Sequence, residues 1–191
     1  MDNLNRAVEV AGMAVDVTPQ DHPNRAGYLN NLGTWLGRRF ERTGSISDLD
    51  RAVDVATKAV DATPQNHPDR AGRLNNLGNR LGRRFERTGS ISDLDRAVNV
   101  ATKAVDVTPQ NHPDRASRLN NLGNKLGRRF ELTGSMDDLD RAVDVATEAV
   151  DATPQDHPNR AGYLNSLGTW LGRRFERTGS VGDLDRAVNA V

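Results

Sequence analysis

Apolar residues recur along this chain with the period of an α-helix. Between Leu74 and Phe85 they fall at Leu74, Leu77, Leu81 and Phe85, steps that keep them on one helical face. From Leu94 to Val105 the set Leu94, Ala97, Val98, Ala101, Ala104 and Val105 forms a second helical stripe. The polar letters around them mark the ends. Pro68 suits an early helical position, and Asn66 or His67 is suited to cap the free amides of the first helix. Arg87 and Gly89 close that helix, a cation in the last turn followed by a residue able to take the left-handed cap. Ser92, ahead of Asp95, is the capping candidate for the second helix, which stops at Pro109. The pattern predicts two antiparallel helices of about 16–20 residues joined by short turns.

The pair recurs. The element DLDRAV begins at Asp48, Asp93, Asp138 and Asp183, a constant step of 45 residues, and NLNRAV at Asn3 extends the series backwards. One helical pair cannot bury its apolar faces alone, whereas stacked neighbours can, so the chain is expected to be a single repeat array over residues 1–191. Its expected parts are a lone second helix in 1–19, full repeats in 20–64, 65–109 and 110–154, and a last repeat in 155–191 with its second helix cut short. A chain that enters and leaves in mid-repeat reads as a piece of a longer array. Gly78 and Gly82 lie four apart on one helical face. Each interior glycine costs up to about 1 kcal/mol relative to alanine, which predicts close approach of a partner helix there.

Leu74, Leu77-Gly78, Leu81, Ala97, Ala104 and Pro109 resemble the short signature of the tetratricopeptide family, and the likeness covers essentially the whole chain. Leucines replace the family's usual first-helix tryptophan and tyrosine, and the unit is longer than the usual one. The longer pattern HPDRA…LNNLG…RFERTGS…DLD is similar to the repeat arrays of fungal NOD-like receptors and related signalling ATPases and caspase-like proteins. The resemblance implies an all-α, right-handed superhelical solenoid that recognises proteins or peptides in a concave groove. It also implies that the chain is the sensor part of a larger receptor. No GxxxxGK[ST] motif is present, so only the repeat region is matched.

Composition narrows the setting. Cysteine is absent, acidic and basic residues balance at 26 each, and no apolar run reaches the roughly 20 residues of a membrane span. The expectation is a cytoplasmic protein with no secretory leader, no membrane contact and no nucleic-acid partner.

Each polar group recurs at equal intervals, which gives ladders and not the converging constellation that catalysis or metal binding needs. His22, His67, His112 and His157 are therefore read as helix-start residues, and no enzyme activity, metal or cofactor is expected. Two sets of residues are candidates for recognition. Asn75, Asn79 and Arg83 are spaced four apart, a polar stripe opposite the leucines. Through the family signature they match positions that line the groove. The equivalent stripes are Asn30, Thr34, Arg38; Asn120, Asn124, Arg128; and Asn165, Thr169, Arg173. Asparagine can bond a peptide backbone and arginine can fork onto a carboxylate. The alternative for the arginine pairs, Arg38-Arg39, Arg83-Arg84, Arg128-Arg129 and Arg173-Arg174, is structural pairing with acids such as Glu86 and Asp95.

The second set varies between copies: Tyr28, Arg73, Arg118, Tyr163 and, seven residues on, Trp35, Arg80, Lys125, Trp170. Tryptophan exchanging with arginine or lysine predicts a face at least partly exposed, made of residue types that dominate binding hot spots. The competing reading packs the tryptophans on an adjacent helix, with the arginine and lysine stems laid on the same surface. A structural function is the alternative to recognition: copies stacking head to tail through apolar terminal helices.

Overall fold

The computed structural model describes residues 2–189; Met1, Ala190 and Val191, the outermost residues of the expected array, lie outside it. The described residues form nine helices: α1 (Asp2–Asp16), α2 (Arg25–Thr43), α3 (Ile46–Asp61), α4 (Arg70–Thr88), α5 (Ile91–Asp106), α6 (Arg115–Thr133), α7 (Met136–Asp151), α8 (Arg160–Thr178) and α9 (Val181–Asn189). They divide into two compact units, Met1–Ala104 and Val105–Val191, with the boundary inside α5.

Local chemistry sets the element ends. Each even-numbered helix closes on a left-handed glycine, Gly44, Gly89, Gly134 or Gly179, with φ between 70° and 72°. The glycine amide donates to the phenylalanine carbonyl four residues back, as from Gly89 to Phe85 at 2.7 Å. The next helix opens one residue later. Ser45 and Ser135 are extended at ψ 106° and 108°, and their hydroxyls accept from the amides of Asp48 and Asp138. Ser90 bonds Asp93 in the same way at 3.4 Å. The cap is thus Ser90 and not Ser92, because the glycine cap places the helix start two residues earlier.

The His-Pro dipeptide also sits differently from the expectation. Pro68 precedes α4 instead of lying in its first turn. His67 builds the turn: its Nδ1 accepts from the Asp69 amide at 3.1 Å, and its carbonyl accepts from Arg70 at 2.9 Å. His22, His112 and His157 repeat the side-chain bond. Arg70 then reaches back to the Val60 and Thr63 carbonyls, covering the open end of α3.

In the first unit α3 lies between two cores. Ala52 and Ala59 pack with Val8 and Val15 of α1 and Leu29, Leu32 and Leu36 of α2. Val53, Ala56 and Val60 pack with Leu74, Leu77 and Leu81 of α4 and Ala97 and Ala104 of α5. In the second unit α7 contacts both α6 and α8, and Leu126, Leu139 and Leu171 are fully buried. α3 therefore has two apolar sides, alanine-bearing toward its own hairpin and valine-bearing toward the next.

Candidate functional site

The even-numbered helices carry the asparagine–arginine stripe on accessible surface. Asn30, Thr34, Asn75 and Asn120 are half-buried, while Arg38, Asn79, Arg83, Asn124, Arg128, Asn165, Thr169 and Arg173 are exposed. In the first unit the stripes of α2 and α4 run side by side. Asn76 donates to Asn30 Oδ1 at 3.0 Å, and Arg83 meets Glu41 at 3.4 Å. The threonine hydroxyls turn back to their own helix, Thr34 to Asn30 and Thr169 to Asn165. Arg128 pairs with Glu131 at 2.6 Å, Arg173 with Glu176 at 3.2 Å, and Arg38 lies 4.8 Å above the Trp35 ring. Solvent-exposed pairs of this kind are worth about 0–1 kcal/mol, so a ligand can displace them. Where the stripe ends, Phe40, Glu41, Gly44, Arg83, Glu86 and Arg87 line an open cleft of about 470 Å³.

The two arginines of each pair do separate jobs. The second one forks onto the aspartate that opens the next helix: Arg39 on Asp48, Arg84 on Asp93, Arg129 on Asp138 and Arg174 on Asp183, at 2.6–2.8 Å. Asp93, two residues before the expected Asp95, is the acid that Arg84 grips, and Arg83 takes Glu41 and not Glu86. Arg84 and Arg174 also reach an acid of the preceding hairpin, Asp50 at 3.2 Å and Asp140 at 3.1 Å. Arg39 reaches Asn5 at the matching place. The guanidinium of Arg174 holds the Asp183 carboxyl below its usual range, and hydrogen bonds to the acids raise Arg39, Arg84 and Arg174.

The variable face, expected to be at least partly exposed, is mostly enclosed. Arg73, Arg80, Arg118, Tyr163 and Trp170 are all at least nine-tenths buried, and Tyr28, Trp35 and Lys125 are half-buried. Within each unit, Arg80 of α4 reaches α2 and Trp170 of α8 reaches α6. Trp170 of α8 lies flat on α6, where a Cβ on Gly127 would stand 2.3 Å from its ring. Arg80 of α4 also packs on α2, but one turn earlier, over Gly33 and not Gly37, donating to the Gly33 carbonyl and the Thr34 hydroxyl, each at 3.1 Å. Its Nη1 finds no partner, and burial pushes its pKa down to about 10. Arginine replaces tryptophan because a long stem and a planar head fill the slot an indole fills. Lys125 returns its ammonium to the Asn121 carbonyl at 3.2 Å.

The other variable position has its own logic. Arg73 bonds Thr63 Oγ1 at 2.6 Å and Asp69 at 2.9 Å; Arg118 bonds Thr108 at 2.8 Å and Asp114 at 3.0 Å. The Tyr28 and Tyr163 copies carry Asn24 and Asn159 where the arginine copies carry Asp69 and Asp114. Tyr28 stacks with His22, centroids 6.4 Å apart. That covariation is visible in the sequence, and it marks an i, i+4 ion pair.

Among the described residues no cluster of three or more histidines or acids is placed to hold a metal ion. No described helix is long and apolar enough to cross a membrane.

The family model described as the tetratricopeptide repeat matches residues 25–69, 70–114 and 115–159. The chain belongs to the tetratricopeptide repeat family. Each matched segment begins at the first residue of a first helix. Solved structures agree on the fold. The chain is similar to the nearly identical TPR-like repeats of a Podosopora anserina protein assigned as a kinesin light chain, with TM-score 0.66, 18% identity and coverage of 98% of this chain and 86% of that one. MamA matches with TM-score 0.65, 15% identity and coverage of 99% and 89%. YrrB, a TPR protein with an unusual peptide-binding site, matches with TM-score 0.64, 17% identity and coverage of 99% and 78%. At these identities the likeness concerns the fold, which is a tetratricopeptide-like helical solenoid. No curated protein matches.

Proposed function

We propose that this chain is a protein- or peptide-binding scaffold whose contact surface is the asparagine–arginine stripe, and that it serves as the recognition part of a larger receptor-like signalling protein. The observation that carries the proposal is the division of labour between the sets. The buried letters hold the stack, while Asn79, Arg83, Asn124 and Arg128 stay on accessible surface in copy after copy. The arginine of the stripe is kept in all four copies, as Arg38, Arg83, Arg128 and Arg173, although it is exposed in each. A row of amides suits an extended backbone, and arginines held only by exchangeable pairs suit acidic side chains. The resemblance of the long repeat to receptor arrays supports the wider context. YrrB shows that a tetratricopeptide protein with this fold carries a peptide-binding site.

The test uses peptides selected from a displayed random library on the purified chain. Asn75→Ala with Asn120→Ala should weaken the selected peptide about tenfold, two hydrogen bonds at about 0.5–1.5 kcal/mol each. The circular dichroism spectrum should stay that of the parent. Undiminished affinity in the double variant would remove the stripe from the account.

A further inference from the structure

We infer that the letters varying between copies form a matched contact between the two first helices of a unit, and that Thr34 makes its hairpin selective for a neighbour carrying arginine. A nearly identical array has a register problem. Leu74, Leu77 and Leu81 of one copy are Leu164, Leu167 and Leu171 of another, so a hairpin stacked on the wrong neighbour recovers almost the same apolar contacts. Only positions that differ between copies can tell neighbours apart.

In the first unit two such positions meet. One, the seat, is Thr34, Asn79, Asn124 or Thr169, which follows the first helical glycine; the other, the knob, is Trp35, Arg80, Lys125 or Trp170. In the first unit Arg80 sits on α2, and Thr34 Oγ1 is its one side-chain acceptor. Thr34 donates its own proton to the Asn30 carbonyl at 3.0 Å, which fixes the rotamer and leaves its lone pairs for Arg80. In the second unit Trp170 sits on α6, and its indole N–H has no partner. Its fit there depends on surface shape, since its ring lies against Gly127.

The two junctions are not interchangeable. An indole moved to the α2 seat forfeits one hydrogen bond from a threonine that keeps its bond to Asn30. A guanidinium moved to α6 finds Asn124 at the repeat position of Thr34, with no hydroxyl and on exposed, not half-buried, surface. Arg80 already buries one unpaired nitrogen, and a second is heavily penalised in a dry contact. The penalty thus falls on the arginine knob, and the hydroxyl seat is what relieves it. Selectivity comes from making the wrong neighbour costly.

A double-mutant cycle on the full chain tests this by thermal unfolding. Thr34→Val should lower Tm by about 5 °C in the parent and by no more than about 2 °C in an Arg80→Trp background. Trp170→Arg supplies the reverse arm: it should lower Tm, and adding Asn124→Thr should restore part of the loss. Equal cost of Thr34→Val in both backgrounds would overturn the inference, as would no restoration by Asn124→Thr.

Discussion

Gly37 and Gly127 are the same letter in the same repeat position, yet the structure asks different things of them. A Cβ on Gly37 would meet nothing within 4 Å, whereas on Gly127 it would strike the Trp170 ring at 2.3–2.5 Å. Gly127→Ala should therefore destabilise the chain by about 1–3 kcal/mol, since the indole has to leave its seat. Gly37→Ala should be neutral or stabilise by up to about 1 kcal/mol through helix propensity. Urea unfolding of the two variants checks the opposite signs. Equal effects would mean that the glycine pair answers to something other than the residue seated on it. The sequence made the glycine face legible, because two glycines four apart on one helical face need a packing reason. It did not reveal that the facing residue is the variable one. Exchange of Trp for Arg reads as surface variation unless a buried slot is known to suit both a ring and a guanidinium.

Within a hairpin the fixed element is the fork of arginine on the aspartate that opens the following helix. It ties the C-terminal half of each first helix to the start of the second, and in Arg84 and Arg174 also to the hairpin before. The aspartate lies in the first turn, where the helix dipole also favours negative charge. Asp183 has its pKa lowered in the folded chain. A depressed carboxylate contributes stability that is present above its unfolded value, about 3.9, and is lost as pH falls through the folded one. Unfolding of the parent followed down from pH 6 should show this loss below about pH 4. Asp183→Asn should be less stable at pH 6 and lose less on acidification. An identical acid slope in the two proteins would show that this fork does not set it. The helices and their glycine stops were readable from apolar spacing and from RTG. The fork was not, because its partners are nine residues apart in sequence across a turn and Asp95 offered an equally plausible acid.

At the scale of the whole chain, repetition is the reason the sequence is so legible. A unit of 45 residues with two helical stripes leaves stacking as the way to bury both, and the family match and solved neighbours agree. Function is less legible for the same reason: letters kept for stacking and letters kept for binding are repeated alike. Burial separates them. Eight stripe residues, among them Asn79, Arg83, Asn124 and Arg128, stay exposed while Arg73, Arg80, Arg118, Tyr163 and Trp170 are enclosed, which favours the stripe as the proposed recognition surface. Calorimetric titration of one selected peptide into the parent, the Asn75→Ala/Asn120→Ala chain and the Arg80→Trp chain tests that division most directly. The account predicts about tenfold weaker binding for the first variant and parental affinity for the second. Binding that survives loss of the stripe asparagines but falls with Arg80→Trp would contradict it.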